Sequence, residues 1–280
     1  MGTTRIQAVA SRADLKSFIR YPFARYRNDP HWVPPLLISE REQFDPGKNP
    51  FFEHARLNLF LAERGGRTVG RIAAIDDDNH NRTHDDNLLF FGFFEAEDEE
   101  AARVLLDRVE ERAHKLGREA IRGPANPSLN HSAGLLIDAF DSDPFVMMPY
   151  NPPEYPRYVE ALGYAKAKDL YAWIFERDWG VRKIGRLAER VRRRHSDLRI
   201  RPVDMKRWDE ELERFRELYN RAWERNWGFV RYTDAEFDHL AKEFKMILDP
   251  ELVALAEVDS ELAGITVLLP DANQDRKSVV

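Results

Sequence analysis

The chain of 280 residues contains no cysteine. That excludes a disulfide framework and any chemistry that runs through a protein thiolate. It has no apolar run of the length a membrane span requires. The N-terminal stretch MGTTRIQAVAS lacks the apolar core of a secretory signal, and Ile6 stands where a myristoylation motif requires Ser or Thr. An excess of basic charge is missing as well: 49 Asp and Glu outweigh 43 Lys and Arg, for a formal net charge of −6. That balance argues against nucleic acid as the partner of the whole chain. What remains is ordinary globular composition, 43% hydrophobic and 33% charged. The length accommodates two domains, each with its own core. These readings lead us to expect a soluble, cytoplasmic protein of bacterial type with no membrane partner.

The hydrophobic pattern then sets out the elements. Residues 5–10 suit a short strand. SRADLKSFIRYPFARYRND carries a capping serine and apolar Leu15, Phe18 and Ile19 at helical spacing. A proline-rich arm follows. LNLFLAERGGRTVGRIAAI reads as a hairpin, because the Gly65-Gly66 pair supplies the positive φ angles of a tight turn. DDDNHNRTHDD reads as a polar loop and LLFFGFF as a buried strand. Residues 98–117 give the strongest helical pattern, with Ala102, Leu105, Leu106, Val109 and Ala113 on one stripe and Gly117 as the stop. REAIRGP reads as a strand, PEYPRYVEALGY as a helix and AKDLYAWIFER as another strand. After the basic segment VRKIGRLAERVRRRH, LRIRPVD starts a second unit. Two helices and a hairpin turning at Asp259-Ser260 follow it. The order strand, helix, hairpin therefore occurs twice, without a repeat of sequence.

Strand, helices, antiparallel hairpin, then strand–helix–strand–helix–strand is the order of the GNAT acyltransferase fold, and the first half runs through all of it. Leu162-Gly163-Tyr164 is similar to the Leu-Gly-Phe that often closes the fourth GNAT helix. The chain resembles still more closely a group of poorly characterised bacterial GNAT-like proteins. The matching stretches are VGRIAAIDDDNHNRTH, FGFFEAED, IRGPANPSLNHSAGLLID and PYNPPEYPRYVEALGYAKAKDLYAW. The resemblance implies an α/β (α+β) fold with a mixed, mostly antiparallel sheet flanked by helices. It implies a complete first GNAT-like domain over 1–178, a basic linker helix over 179–197, and a second GNAT-like domain over 198–280 with only its N-terminal part. On that basis the chain is expected to be a truncated tandem protein without acyltransferase activity of its own.

GNAT enzymes seat the pyrophosphate of acyl-CoA on a glycine-rich loop between the fourth strand and third helix, where bare N–H groups and the helix dipole hold an anion. The corresponding joint here offers Glu95, Glu97, Asp98, Glu99 and Glu100, with no glycine between Gly92 and Gly117. Carboxylates suit a helix N-terminus and would repel a pyrophosphate. The expected cofactor of this chain is therefore none, with acetyl-CoA or another acyl-CoA belonging to a full-length form. The position of the GNAT tyrosine that protonates the leaving thiolate is Val159. Tyr158 is one residue away, about 100° around a helix. No catalytic residue is assigned.

Candidate substrate residues come from two sources. His80 and Asn81 match a stretch shared with the resembling group. His80 and His84 beside Asp76, Asp77 and Asp78 have the composition of a metal site. In a solvated loop their spacing has no geometric force, so no metal is expected. The loops RGPANPSLNHSAG and MMPYNPPEYP place Asn126, Asn130, His131, Tyr150, Asn151 and Tyr155 on a proline-stiffened frame, as donors and acceptors for a small molecule or as plain turn-makers. The basic segment suits an anionic partner such as tRNA. In an acidic chain a solvated interdomain helix with Ile184, Leu187 and Val191 facing inward is the stronger reading, so nucleic acid is not expected. Trp208, Phe215, Tyr219, Trp223 and Trp227 read as core. The leading function is acyl-CoA-dependent N-acyl transfer to a small-molecule or peptide amine. The alternatives are aminoacyl transfer from tRNA, as in Fem-type proteins, and a non-catalytic small-molecule binding or scaffold protein.

Overall fold

The computed structural model describes residues 2–175 and 181–277. The chain divides into two compact units. The first comprises residues up to Lys168 with Trp227–Val230 and the segment from Asp271. The second comprises Asp169–Asn226 and Arg231–Pro270.

The first unit is built on a five-stranded sheet in the order β1-β2-β3-β4-β5, with β1 at Arg5–Ala8, β2 at Ala55–Arg64, β3 at Arg67–Asp77, β4 at Leu88–Ala96 and β5 at Ala120–Arg122. All neighbours are antiparallel except β4 and β5. Helix α1, Arg12–Arg25, starts at a reciprocal capping box between Ser11 and Asp14. A short helix α2, Leu37–Gln43, lies in the proline-rich arm. Helix α4, Glu99–Leu116, is capped by Asp98 and stops at Gly117, as its apolar stripe predicts. Leu105, Leu106 and Val109 of α4 pack on Ile72, Leu89 and Phe91 of the sheet. Each such side chain contributes about 1.5–3 kcal/mol on burial. The opposite sheet face carries a second apolar cluster, with Phe18 and Ile19 of α1 on Leu61, Ile75 and Phe90. Two two-residue strands, β6 at Ala125–Asn126 and β7 at Ser132–Ala133, pair with each other, and α5 spans Glu154–Ala161.

β4 carries a bulge. Arg71 pairs with Glu95 and Ala73 with Gly92, so Phe93 and Phe94 together face a single residue of β3, and Phe93 adopts φ 50°. A bulge shifts the alternation of side chains by one. Before it, Leu89 and Phe91 face α4 while Leu88 and Phe90 face α1. After it, Phe94 and Ala96 face α4 and Phe93 faces α1.

The second unit contains α6 (Val181–Arg194), β8 (Arg199–Pro202), α7 (Trp208–Trp223), α8 (Asp234–Lys245), β9 (Val253–Val258) and β10 (Glu261–Val267). Its sheet is antiparallel in the order β10-β9-β8, and Asp259 and Ser260 make the β9–β10 turn with φ 50° and 68°. Arg201 of β8 bonds Glu211 of α7 at 2.6 Å and Glu257 of β9 at 2.8 Å, tying helix to sheet. The two units thus begin alike, with β1-α1-α2-β2-β3 matched by β8-α7-α8-β9-β10. The fold is mixed, dominated by antiparallel sheet and flanked by helices, in the order that the resemblance to GNAT-like proteins implies.

Ile184, Leu187 and Val191 of α6 are exposed and do not face inward, and Trp223 and Trp227 are exposed and not core; two segments also differ from their sequence reading in secondary structure. Asp78–His84 is a helix, α3, and not a loop, because the Asp77 side chain accepts from the backbone N–H groups of Asn79 and His80 and caps it. Residues 165–175 have no regular secondary structure, although their apolar run reads as a strand. Glu176 and Arg177 of that stretch lie outside the described residues. A short helix α9, Asn273–Lys277, ends the described chain. No described helix is long and apolar enough to cross a membrane.

Candidate functional site

The parity shift in β4 turns the Glu95 side chain toward the α1 side of the sheet, into a buried position. There it meets two tyrosines. Tyr26, the residue that closes α1, donates its hydroxyl to Glu95 Oε2. Tyr155 of α5 donates to the same oxygen at 2.8 Å and accepts from the backbone N–H of Ala96 at 2.9 Å. Arg71, the cross-strand neighbour of Glu95, places Nη2 3.9 Å from Oε1 and anchors Nη1 on the Phe18 carbonyl at 2.9 Å. Burial pushes the Glu95 carboxyl above its ordinary value, against the pull of Arg71 and both hydroxyls. Burial, reinforced by the charge of Glu95, holds the Tyr26 and Tyr155 hydroxyls well above the usual phenol range. Both therefore remain protonated and act as donors.

In front of Tyr26 lies a cleft of about 570 Å³, lined by Arg25, Tyr26, Asp29, His31, Tyr150 and Glu154 among others. Tyr150 donates to Asp29 at 2.6 Å and meets the Tyr26 ring edge-on at 5.7 Å. Trp32 stacks on Tyr26 at 5.5 Å. Asn151, buried beside the cleft, holds the backbone of Leu136 through both its amide atoms, at 2.7 and 3.2 Å. The cleft thus has aromatic walls, carboxylates at Asp29 and Glu154, and a third carboxylate one hydroxyl behind its floor. The carboxylates can attract an amine, beside the cation of Arg25, and Tyr26 can pass its proton to Glu95.

Two curated proteins are similar to the chain along nearly all of it. It is 40% identical over 269 residues to the bacterial ceramide synthase of Caulobacter vibrioides, covering 95% of this chain and 70% of that protein. It is 34% identical over 272 residues to the protein YghO of Escherichia coli, covering 96% of this chain and 69% of that one. The chain belongs to the family of these two proteins. Among solved structures, a tandem GNAT protein from the clavulanic acid biosynthesis pathway aligns over 94% of this chain and 73% of its own at a TM-score of 0.48 and 14% identity. An aminoglycoside N-acetyltransferase in complex with CoA aligns over 62% of this chain and 96% of its own at a TM-score of 0.37 and 12% identity. No protein-family profile matches the chain.

Of the residues singled out in the sequence, Tyr150, Asn151 and Tyr155 come together at this cleft and its floor. The others lie elsewhere in the first unit, where the asparagines hold backbone and the histidines bond neighbouring side chains. Asn81 brackets Leu88 with two 2.9 Å bonds, accepting from its N–H and donating to its carbonyl. Asn126 accepts from Phe93 N at 2.6 Å, taking up the N–H that the bulge frees. Asn130 brackets Val230, donating to its carbonyl at 2.5 Å. His131 bonds Ser128 at 2.8 Å. His80 is buried on α3, 3.2 Å from Asp86, with its ring against Phe90 and His84. Burial lowers its pKa, keeping the ring neutral. The helical form of α3 does bring His80 and His84 together, yet the described residues contain no group of side chains able to hold a metal ion. Glu95 stands in a run of acids, which hides it from a reading of residue types alone. Gly92 and the broken alternation around it are the signals that separate it from them.

The remaining acids of that run close the start of α4. Asp98 accepts from Ala101 N at 2.9 Å and is clasped by both terminal nitrogens of Arg64, at 2.6 and 2.8 Å. Glu100 accepts from the Thr4 hydroxyl at 2.7 Å. The Arg64 guanidinium, helped by the helix N–H groups, holds the Asp98 carboxyl down to about 2. Asp98→Ala is expected to destabilise the protein by about 1–2 kcal/mol, as loss of a helix cap does. The depressed pKa fixes the sign of the pH effect. The contribution is complete above the ordinary value of 3.8 and fades as pH falls toward about 2. Urea titrations of both proteins at neutral and acid pH check this; a penalty that persists at the lowest pH would contradict it.

Proposed function

We propose that this protein is an acyl-CoA-dependent N-acyltransferase whose acceptor is the amine of a long-chain sphingoid-type base, the product being a ceramide-type amide. The observation that carries the reading is the 40% identity to a bacterial ceramide synthase along 95% of this chain. The cleft chemistry supports it. In forming an amide, the amine nitrogen attacks a thioester carbonyl, loses a proton, and the thiolate leaves with a proton of its own. Asp29 and Glu154 suit the incoming ammonium. Tyr26 accepts the nitrogen's proton as it passes its own to Glu95, a carboxylate whose raised pKa makes it a better base near neutrality. The acyl-CoA supplies the activated acyl group. Its pyrophosphate has no seat at the start of α4 in this reading, since Asp98 and Arg64 fill that position.

Deleting the gene in its host is expected to abolish N-acylated long-chain base and to let the free amine accumulate in lipid extracts read by mass spectrometry. Complementation with the native gene restores the amide. Tyr26→Phe, which keeps the ring and removes the relay hydroxyl, is expected to restore about 10²-fold less product at equal protein level. Unchanged amide levels in the deletion strain would overturn the reading of the substrate. Full complementation by Tyr26→Phe would overturn the relay.

A further inference from the structure

The groove between α1 and α2 has no part in the cleft chemistry. It encloses about 280 Å³ and is lined by apolar Leu15, Ile19 and Leu37 and by Arg12, Lys16, Arg20 and Arg41. Arg12, Lys16 and Arg20 follow one another every four residues, so each lies only about 40° around the helix from the last and the three form a stripe. Arg41 faces that stripe from the other wall. All four are exposed, and none is paired with a carboxylate among the described residues. On either side of Leu37, Leu36 and Ile38 are 48% and 65% exposed. An acidic protein therefore carries four cations without a carboxylate partner among the described residues around the apolar furrow between α1 and α2, with exposed aliphatic side chains beside Leu37.

We propose that the α1–α2 face docks on an anionic phospholipid bilayer, with Arg12, Lys16, Arg20 and Arg41 against lipid phosphates and Leu36 and Ile38 dipping into the acyl boundary. Charge complementarity selects this occupant. The net charge of −6 opposes adsorption of the chain as a whole to an anionic surface, so contact needs a local cationic patch, and cations beside aliphatic groups are the pattern of an interfacial site. The inference deepens the proposed reading, because a long-chain amine resides in a bilayer and an enzyme seated there meets it by diffusion in two dimensions.

The test uses the full chain and vesicles free of substrate, so its outcome is independent of whether the acceptor has been named correctly. Co-sedimentation is measured with phosphatidylcholine vesicles and with vesicles containing one third phosphatidylglycerol, at 0.1 M and 0.5 M salt. The native chain is expected to bind the anionic vesicles only, and less at high salt. Combined Arg12→Glu, Lys16→Glu and Arg20→Glu should lower that affinity at least about 100-fold, and Leu36→Ser with Ile38→Ser about tenfold. Circular dichroism confirms that the variants fold, and the milder set R12Q, K16Q and R20Q replaces the reversal if it does not. Equal binding to neutral vesicles would overturn the proposal, as would no binding by the native chain. So would binding that survives in the α1 variants and disappears on reversing Arg190, Arg193 and Arg194, which would place the contact on α6.

Discussion

Tyr155→Ala is expected to lower the unfolding free energy by about 3–5 kcal/mol, the usual range for removing a buried aromatic. Tyr155 is fully buried, with its ring 5.2 Å from that of Phe94 and 6.2 Å from that of Tyr158. Two losses combine in the variant. The core on the α4 side of the sheet gains a cavity. The buried Glu95 carboxylate keeps Tyr26 but loses a donor, and Ala96 N loses its acceptor. Tyr155→Phe separates these effects, because it keeps the ring and removes only the oxygen; about 1–3 kcal/mol is expected for the unsatisfied groups. Denaturant titration of the three proteins decides the matter. Equal losses for Ala and Phe would mean that the ring contributes nothing. The network also has a pH signature. Its carboxyl is held above the ordinary value of 4.5, so the folded state binds a proton more tightly than the unfolded state. Native stability should then fall as pH rises through the window above 4.5, and Glu95→Gln should remove that slope.

Much of this architecture is legible in the sequence. The hairpin at Gly65-Gly66, the apolar stripe of α4 with Asp98 before it and Gly117 after it, and the hairpin at Asp259-Ser260 are local signals, and local hydrogen bonding and burial honour each of them. The repeated start of the two units is legible for the same reason. Less legible is whatever depends on a partner far along the chain. Residues 167–177 read as a strand from their apolar run, but a strand is completed by a neighbour's N–H and C=O groups, and no described strand pairs with 165–175. Conversely, α3 sits in a run so polar that no apolar period marks it; Asp77, as its cap, was the available clue.

The candidate site was legible in part for a similar reason. Tyr150, Asn151 and Tyr155 are near one another along the chain, and the proline-rich loop keeps them near one another in space. Tyr26 and Glu95 reach the same place from α1 and β4, 69 residues apart. A fixed alternation through LLFFGFFEA assigns Glu95 to the face of Phe91, which is the α4 face. The bulge reverses that assignment and sets the carboxylate beside Tyr26.

Gly92, where the bulge begins, lets β6 come close to β4, and its replacement should have the other large effect. A Cβ at this position would sit 1.7 Å from the carbonyl oxygen of Ala125 and 2.8 Å from its carbon. Both are backbone atoms, so no side-chain rotation relieves the clash. β6 must move away from β4, and with it goes Asn126, whose Oδ1 holds the Phe93 N–H at 2.6 Å. Phe93 would then keep its left-handed φ of 50° without the bond that steadies it. Gly92→Ala is therefore expected to cost about 3 kcal/mol or more, beyond the usual penalty for one added methyl group in a core. Asn126→Ala should reproduce only the hydrogen-bond part, about 1–3 kcal/mol. The two losses share the Phe93 N–H, so the double variant should fall short of their sum. Because the bulge aims Glu95, both variants should also blunt the pH slope of the native protein. A Gly92→Ala protein with native stability and an unchanged slope would show that β4 does not need the close approach of β6 to present its carboxylate.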